Sequence, residues 1–147
     1  MNTADQHHDL DTFVHYAQSS GLDPGTTIFV GTAFEYTVMA VLSAIGMSLT
    51  RSGGRLDAGI DIRGTWIPPA TSKTVPARPP VNIYVSCKSY NSKRKTGPSI
   101  LRELVGTVNA TPRDVDAFGI LAAAQPCTKE TRQRLAMSTA ALGFMCV

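Results

Sequence analysis

Little in this 147-residue sequence is charged (17%) or aromatic (7%), and histidine and cysteine occur three times each. Cys87, Cys127 and Cys146 form no CxxC pair. That excludes a disulfide framework and disfavours zinc, whose structural sites use closely paired Cys or His. The cysteines read instead as small apolar residues of a reducing compartment. His7, His8 and His15 all fall in the N-terminal segment, which reads as solvated rather than metal-binding. No histidine lies near a candidate nucleophile, and neither a Walker-type loop nor a nucleophile elbow is present. No apolar run approaches the ~20 residues that span a bilayer, so no membrane partner is expected. The opening MNTADQHHDLDTF carries acids and no arginine, unlike a signal or transit peptide. From these features alone the expectation is a soluble intracellular protein.

What is present suits one compact domain. Apolar residues make up 43% of the chain, and a length near 150 residues buries roughly two-thirds of the unfolded surface without a metal or disulfide staple. The 14 Lys+Arg against 11 Asp+Glu give a net charge of +3. That is mildly basic, so any nucleic-acid reading depends on where the charges sit.

Leu10, Phe13, Val14 and Ala17 have helical spacing, closed by Ser19-Ser20-Gly21, and Asp23-Pro24-Gly25 is a turn. A longer helix is expected from about Thr32 to Ala44, with Phe34, Val38, Val41, Leu42 and Ile45 on one face and Gly46 as its stop. Short extended pieces follow: Ser48 to Arg51, Ile60 to Arg63, and Val81 to Cys87. In the last, Val81, Ile83, Val85 and Cys87 alternate with Asn82, Tyr84 and Ser86. Residues 65–80 are proline-rich and read as a long loop or insertion between two strands that still pair. A basic loop, Lys88 to Gly97, precedes an amphipathic helix over Ser99 to Asn109 that buries Ile100, Leu101, Leu104, Val105 and Val108. The run Phe118 to Ala124 suits a strand buried on both faces. Thr128 caps a helix expected to reach Leu142, and residues 143–147 form a last, buried strand. That strand either completes the sheet edge or marks a chain shortened from a longer protein. The division is an N-terminal segment, residues 1–27, and one α/β domain, residues 28–147.

Three residues stand where chemistry is expected: Glu35 on the first amphipathic helix, Asp61 in the second strand and Lys88 at the end of the third. In a hairpin, Asp61 and Lys88 converge at one sheet edge. There a carboxylate can hold a divalent cation, and a lysine can position water and stabilise a phosphorane-like transition state. Taken bare, the pair also reads as a strand-edge salt bridge.

The surrounding segments change that reading. Gly31 to Glu35 (G-T-A-F-E), Gly53 to Ile62 (G-G-R-L-D-A-G-I-D-I), Val85 to Tyr90 (V-S-C-K-S-Y) and Ile100 to Val108 (I-L-R-E-L-V-G-T-V) occur in that order. Together they resemble the Mrr-like branch of the PD-(D/E)XK nucleases, the restriction-endonuclease-like superfamily. G-T-A-F-E-Y-T-V and the proline-rich insertion are most similar to the fungal required for respiratory growth protein 7 family. The resemblance spans about Ile28 to Ala124. It implies an αβββαβ core with a central mixed sheet flanked by helices, Mg²⁺- or Mn²⁺-dependent DNA endonuclease activity, and a mitochondrial location. Within it Asp61 matches the metal-binding aspartate, Lys88 the catalytic lysine, and Glu35 the glutamate of the first core helix.

Ser86 departs from the pattern, since the family usually carries Glu or Gln there. Glu103 is a candidate replacement carboxylate and equally an exposed helix residue beside Arg102. Asp57 has at most a supporting role. Arg51, Lys93, Arg94, Lys95 and Arg102, with Lys88, read as a phosphate-contacting rim, and Tyr90 as a stacking or packing residue. Trp66 reads as packing or a partner contact. DNA is the expected partner, and pairing into a homodimer is left open. The alternative is a catalytically silent DNA-binding or scaffolding protein on the same fold.

Overall fold

The computed structural model describes residues 6–52, 59–70, 72–73, 78–89 and 98–147. Asp57, Tyr90, Lys93, Arg94 and Lys95 therefore lie outside the described residues. Helix α1 (Leu10–Ser20) opens with a capping box, in which the Asp9 carboxylate accepts from Thr12 N at 2.8 Å, and it stops at Gly21. Helix α2 (Thr27–Ala44) starts a turn and a half earlier than the apolar spacing predicts. Thr26 supplies the cap, accepting from Phe29 N at 3.2 Å, and the expected turn feeds it through Thr26 N to Asp23 O. Its apolar residues do not share one face as expected: Tyr36, Val38 and Leu42 are buried, but Val41 and Ile45 are 45% and 58% exposed. The helix is apolar on every side, so spacing does not reveal which stripe meets the sheet. By length and composition alone α2 could cross a membrane; here one side of it packs on the sheet.

Strands β1 (Met47–Arg51), β2 (Ile62–Trp66), β3 (Val81–Lys88), β4 (Ala117–Ala123) and β5 (Leu142–Cys146) form one mixed sheet in the order β1-β2-β3-β4-β5. β1, β2 and β3 pair antiparallel, while β4 and β5 add in parallel. β3 reaches β4 through helix α3 (Pro98–Ala110), and β4 reaches β5 through helix α4 (Lys129–Met137), as parallel neighbours require a crossover. Val38 and Leu42 of α2 pack with Met47, Ile62, Ile83, Val85, Ile120 and Ala122 on one face. Leu101 and Leu104 of α3 pack with Ile60 and Leu121 on the other, joined by Tyr84, Leu135 and Phe144. β4, flanked by β3 and β5, is buried from Gly119 to Ala123, as its continuous apolar run predicts.

Besides α2, three elements differ from expectation. β2 begins at Ile62 rather than Ile60 and takes Thr65 and Trp66 from the proline-rich span before Pro68 and Pro69 end the ladder. Thr128 caps α4 as expected, but the helix stops at Met137. There Ser138 adopts extended backbone and its hydroxyl accepts from Ala140 N, a local bond that competes with helix. β5 completes the sheet edge, yet Phe144 and Met145 are only half-buried and Cys146 is exposed, because an edge strand has one neighbour.

The N-terminal histidines are not uniformly solvated. The His7 ring lies 5.0 Å from both Phe13 and Tyr16, and its Nδ1 is 2.6 Å from the Tyr36 hydroxyl. Burial, then the nearby Arg51 cation, lower its pKa from the ordinary value. The folded state therefore binds fewer protons here than the unfolded chain, and the associated stability is lost as pH falls below the usual imidazole range. Between pH 7 and 5 the melting temperature of the parent should fall more than that of His7→Gln. Parallel pH curves would show that His7 does not report on folding.

Candidate active site

Antiparallel pairing of β2 with β3 places Ile62 opposite Val85, so the residue before β2 meets the last residues of β3. Asp61 thus immediately precedes its strand, at the same end of the sheet as Lys88, whose charge acts on it. Its backbone is fixed on both sides: Asp61 N donates to Val85 O and Asp61 O accepts from Ser52 N, each at 2.9 Å. The side chain is held as well, with Oδ2 accepting from Cys87 N at 2.7 Å. From the helix side, Glu35 of α2 faces Arg51, the last residue of β1, with Glu35 Oε2 and Arg51 Nε 2.7 Å apart. Both side chains are about four-fifths removed from solvent, at 19% and 22% exposure, so this pair is screened less than a surface pair.

The electrostatics tie these residues together. Burial raises the Asp61 pKa, opposed by the Cys87 N–H bond and by the charges of Lys88 and Arg51. Burial also raises Glu35, opposed by Arg51 and Lys88 and reinforced by the negative charge of Asp61. Glu35, Asp61, Arg51 and Lys88 therefore sense one another, as two desolvated carboxylates and two cations. Cys87 sits among them, its thiol pushed up by burial and by Asp61 and Glu35. It stays protonated, which removes it as a nucleophile.

Ser86 is 2% exposed and points to the α3 side, its hydroxyl donating to Gly59 O at 3.0 Å. Gly59 has φ +75°, which favours glycine, and a Cβ there would overlap the Glu103 carboxylate, the movable end of an exposed side chain. Ser86 and Glu103 thus meet the same glycine, two residues before Asp61. Among the described residues no three His, Cys, Asp or Glu side chains form a metal-holding group, so Glu103 does not join Glu35 and Asp61 as a third ligand. By type, carboxylates such as Asp61 and Glu35 are the hard oxygen donors that Mg²⁺ takes, commonly one or two with substrate phosphates and waters completing its shell; Glu35 here is paired with Arg51.

The basic residues separate. Arg51 belongs to the acidic cluster: Nε binds Glu35, Nη1 lies 3.4 Å from the Tyr36 hydroxyl, and the guanidinium sits 5.1 Å from the Tyr36 ring centre. Arg102 instead lines a groove between α3 and α4 with Val105, Glu130 and Met137. Two participants escape sequence reasoning, namely Arg51 as the partner of Glu35 and the Cys87 amide as the clamp on Asp61. The first had a signal, because Arg51 closes β1 as Ile62 opens β2, one residue from Asp61. The second had none, since any residue type supplies an amide.

Comparison with known proteins agrees with this architecture. The structure resembles the restriction endonuclease MspJI, solved in complex with a 27-mer oligonucleotide, with a TM-score of 0.56 and 14% identity over 99% of this chain and 32% of that one. At that identity the likeness concerns the fold, which is restriction-endonuclease-like. An uncharacterized mitochondrial protein of Schizosaccharomyces pombe is 32% identical over 97% of this chain and 54% of its own length. The mitochondrial required for respiratory growth protein 7 of Saccharomyces cerevisiae is 30% identical over 63% of this chain and 52% of its own. That of Lachancea thermotolerans is 28% identical over 65% and 50%. The chain spans about half the length of these relatives. Since they are mitochondrial proteins, kinship locates this chain in mitochondria. The model of the family described as required for respiratory growth protein 7 matches residues 26–73 and 67–147, and the chain belongs to that family.

Proposed function

We propose that this chain is a metal-dependent DNA endonuclease domain of the PD-(D/E)XK type, serving the role in respiratory growth that its family's name implies, within mitochondrial DNA maintenance. The observation that carries the reading is the convergence of Glu35, Asp61 and Lys88 at one end of the β2–β3 pair, on a restriction-endonuclease-like fold. Glu35 and Asp61 would hold Mg²⁺ or Mn²⁺. Bound there, the cation would neutralise charge on the scissile phosphate and acidify the attacking water.

The chain's own groups divide the remaining work. The Cys87 amide holds the Asp61 carboxylate in one orientation. Arg51 holds Glu35. The Lys88 ammonium orients the water and donates to the phosphate oxygens as their charge grows, the preorganised stabilisation that contributes most to such reactions. Lys93, Arg94, Lys95 and Arg102 supply positive charge for the DNA backbone. The direct test is nicking of supercoiled plasmid with Mg²⁺ or Mn²⁺ by the parent, Asp61→Asn and Lys88→Met. Equal cutting by all three would sink the assignment.

One observation favours a second reading, a silent DNA-binding or scaffolding domain. Ser86 takes the place of an acidic or amide side chain and spends its hydroxyl on Gly59 O. Under that reading DNA binding weakens with salt but no metal-dependent cutting appears. Ser86→Glu separates the two: a gain in nicking identifies the missing acceptor as the limiting group. Ser86→Ala should instead cost only about 1 kcal/mol of stability, one buried hydrogen bond, read from a denaturant melt.

A further inference from the structure

A large cavity lies outside the acidic cluster. It occupies about 850 Å³ between α1, the stretch of α2 from Ile28 to Met39, and β1, within the roughly 300–1,000 Å³ typical of small-molecule sites. Five ring-bearing side chains line it, those of His7, His8, Phe13, Tyr16 and Tyr36, with hydroxyls of Ser20, Thr32 and Thr50 among them; Phe13 and Tyr36 are nearly buried, so His7, His8 and Tyr16 are the accessible rings. No carboxylate lines it among the described residues, whereas Arg51 does. That one arginine touches both places: its guanidinium stacks over the Tyr36 ring and its Nε binds Glu35.

We infer that this cavity takes one unpaired nucleobase, with Arg51 at its mouth receiving the adjoining phosphate. Stacking on aromatic faces is how proteins hold single bases irrespective of sequence, and arginine adds to it. The hydroxyls and the imidazoles of His7 and His8 can meet a base edge. A base still stacked and paired in a duplex cannot enter such a cavity, so the ligand is a flipped, bulged or single-stranded nucleotide. The inference rests on the nuclease reading and names its substrate class: DNA with an unpaired base beside the bond to be cut. A phosphate on Arg51 would compete with Glu35 for the guanidinium and release that carboxylate.

The test measures binding in EDTA, apart from cutting. The probes are a duplex with one bulged 2-aminopurine and the same duplex fully paired. The parent should bind the bulged DNA at least tenfold tighter and quench its 2-aminopurine. Tyr16→Ala removes a ring, and Thr32→Phe fills the cavity from α2 while leaving every aromatic side chain in place. Each should abolish the preference, a loss of roughly 10- to 100-fold for the bulged DNA, and leave paired-DNA affinity within twofold. Absence of preference in the parent, its retention by both variants, or equal weakening of both DNAs would overturn the inference. Deoxyadenosine monophosphate that displaces the bulged DNA would extend the pocket's ligands to free nucleotides; failure to displace it would confine them to a strand. Preference without Mg²⁺-dependent nicking would retain the pocket and discard the nuclease reading, and nicking without preference the reverse.

Discussion

Asp61→Asn should lower Mg²⁺-dependent plasmid nicking by about 10³-fold, the several kcal/mol that a catalytic cation contributes to charge stabilisation. Lys88→Met should lower it by about 10²- to 10³-fold, the cost of one missing donor to a developing oxyanion. What makes Asp61→Asn decisive is that it should not unfold the protein. Its Oδ atom can still accept from Cys87 N, and burial raises the Asp61 pKa. A carboxyl raised in the folded state binds protons that the unfolded chain has already lost. Its ionisation therefore costs stability as pH rises through the folded value. At pH 7 the amide is free of that cost, so thermal melts without divalent cations should show Asp61→Asn at least as stable as the parent. Lys88→Met removes a cation that lowers both carboxylates and should melt lower. Activity and stability thus move in different directions in one variant and together in the other. A merely structural Asp61 would lose both.

Gly64→Ala should be among the most destabilising single substitutions, about 3 kcal/mol or more. Gly64 sits in β2 between Leu49 of β1 and Ile83 of β3. A Cβ there would overlap the Ser48 carbonyl oxygen and lie 2.9 Å from the Leu49 Cα. Both are backbone atoms and cannot swing aside as a side chain would. Relief requires β1 to move, and β1 carries Arg51 to Glu35. At about 3 °C per kcal/mol for a chain of this size, the melting temperature should fall by roughly 10 °C. Chemical-denaturation curves check the free energy, and a change within 1 kcal/mol would mean that β1 yields easily.

The parts of this fold legible in the sequence are those with one dominant local cause. The alternation of β3 sorted its two faces correctly: Val81, Ile83, Val85 and Cys87 pack with α2, Tyr84 with α3. The apolar run of β4 announced burial on both faces, and Thr128 announced α4. Errors arose where several causes compete. An all-apolar α2 has no preferred stripe until the sheet chooses Val38 and Leu42 over Val41 and Ile45. The end of α4 turns on one Ser138 hydroxyl. For the site, Asp61 and Lys88 were visible as residue types at strand ends. Their placement at one end of the sheet follows from the antiparallel register, and the clamp on Asp61 from a backbone amide, which leaves no trace in composition.

The antiparallel register has one more effect. The connection between β2 and β3 leaves the sheet at Trp66 and returns at Val81, the end remote from the Ile62–Val85 pair beside Asp61. Its length is therefore decoupled from the chemistry. In general, doubling a connection's length adds only about 0.6 kcal/mol of closure entropy, so a longer connection at that end need not displace Asp61 or Lys88. A tag inserted between Trp66 and Val81 should therefore leave the acidic edge at Asp61 in place.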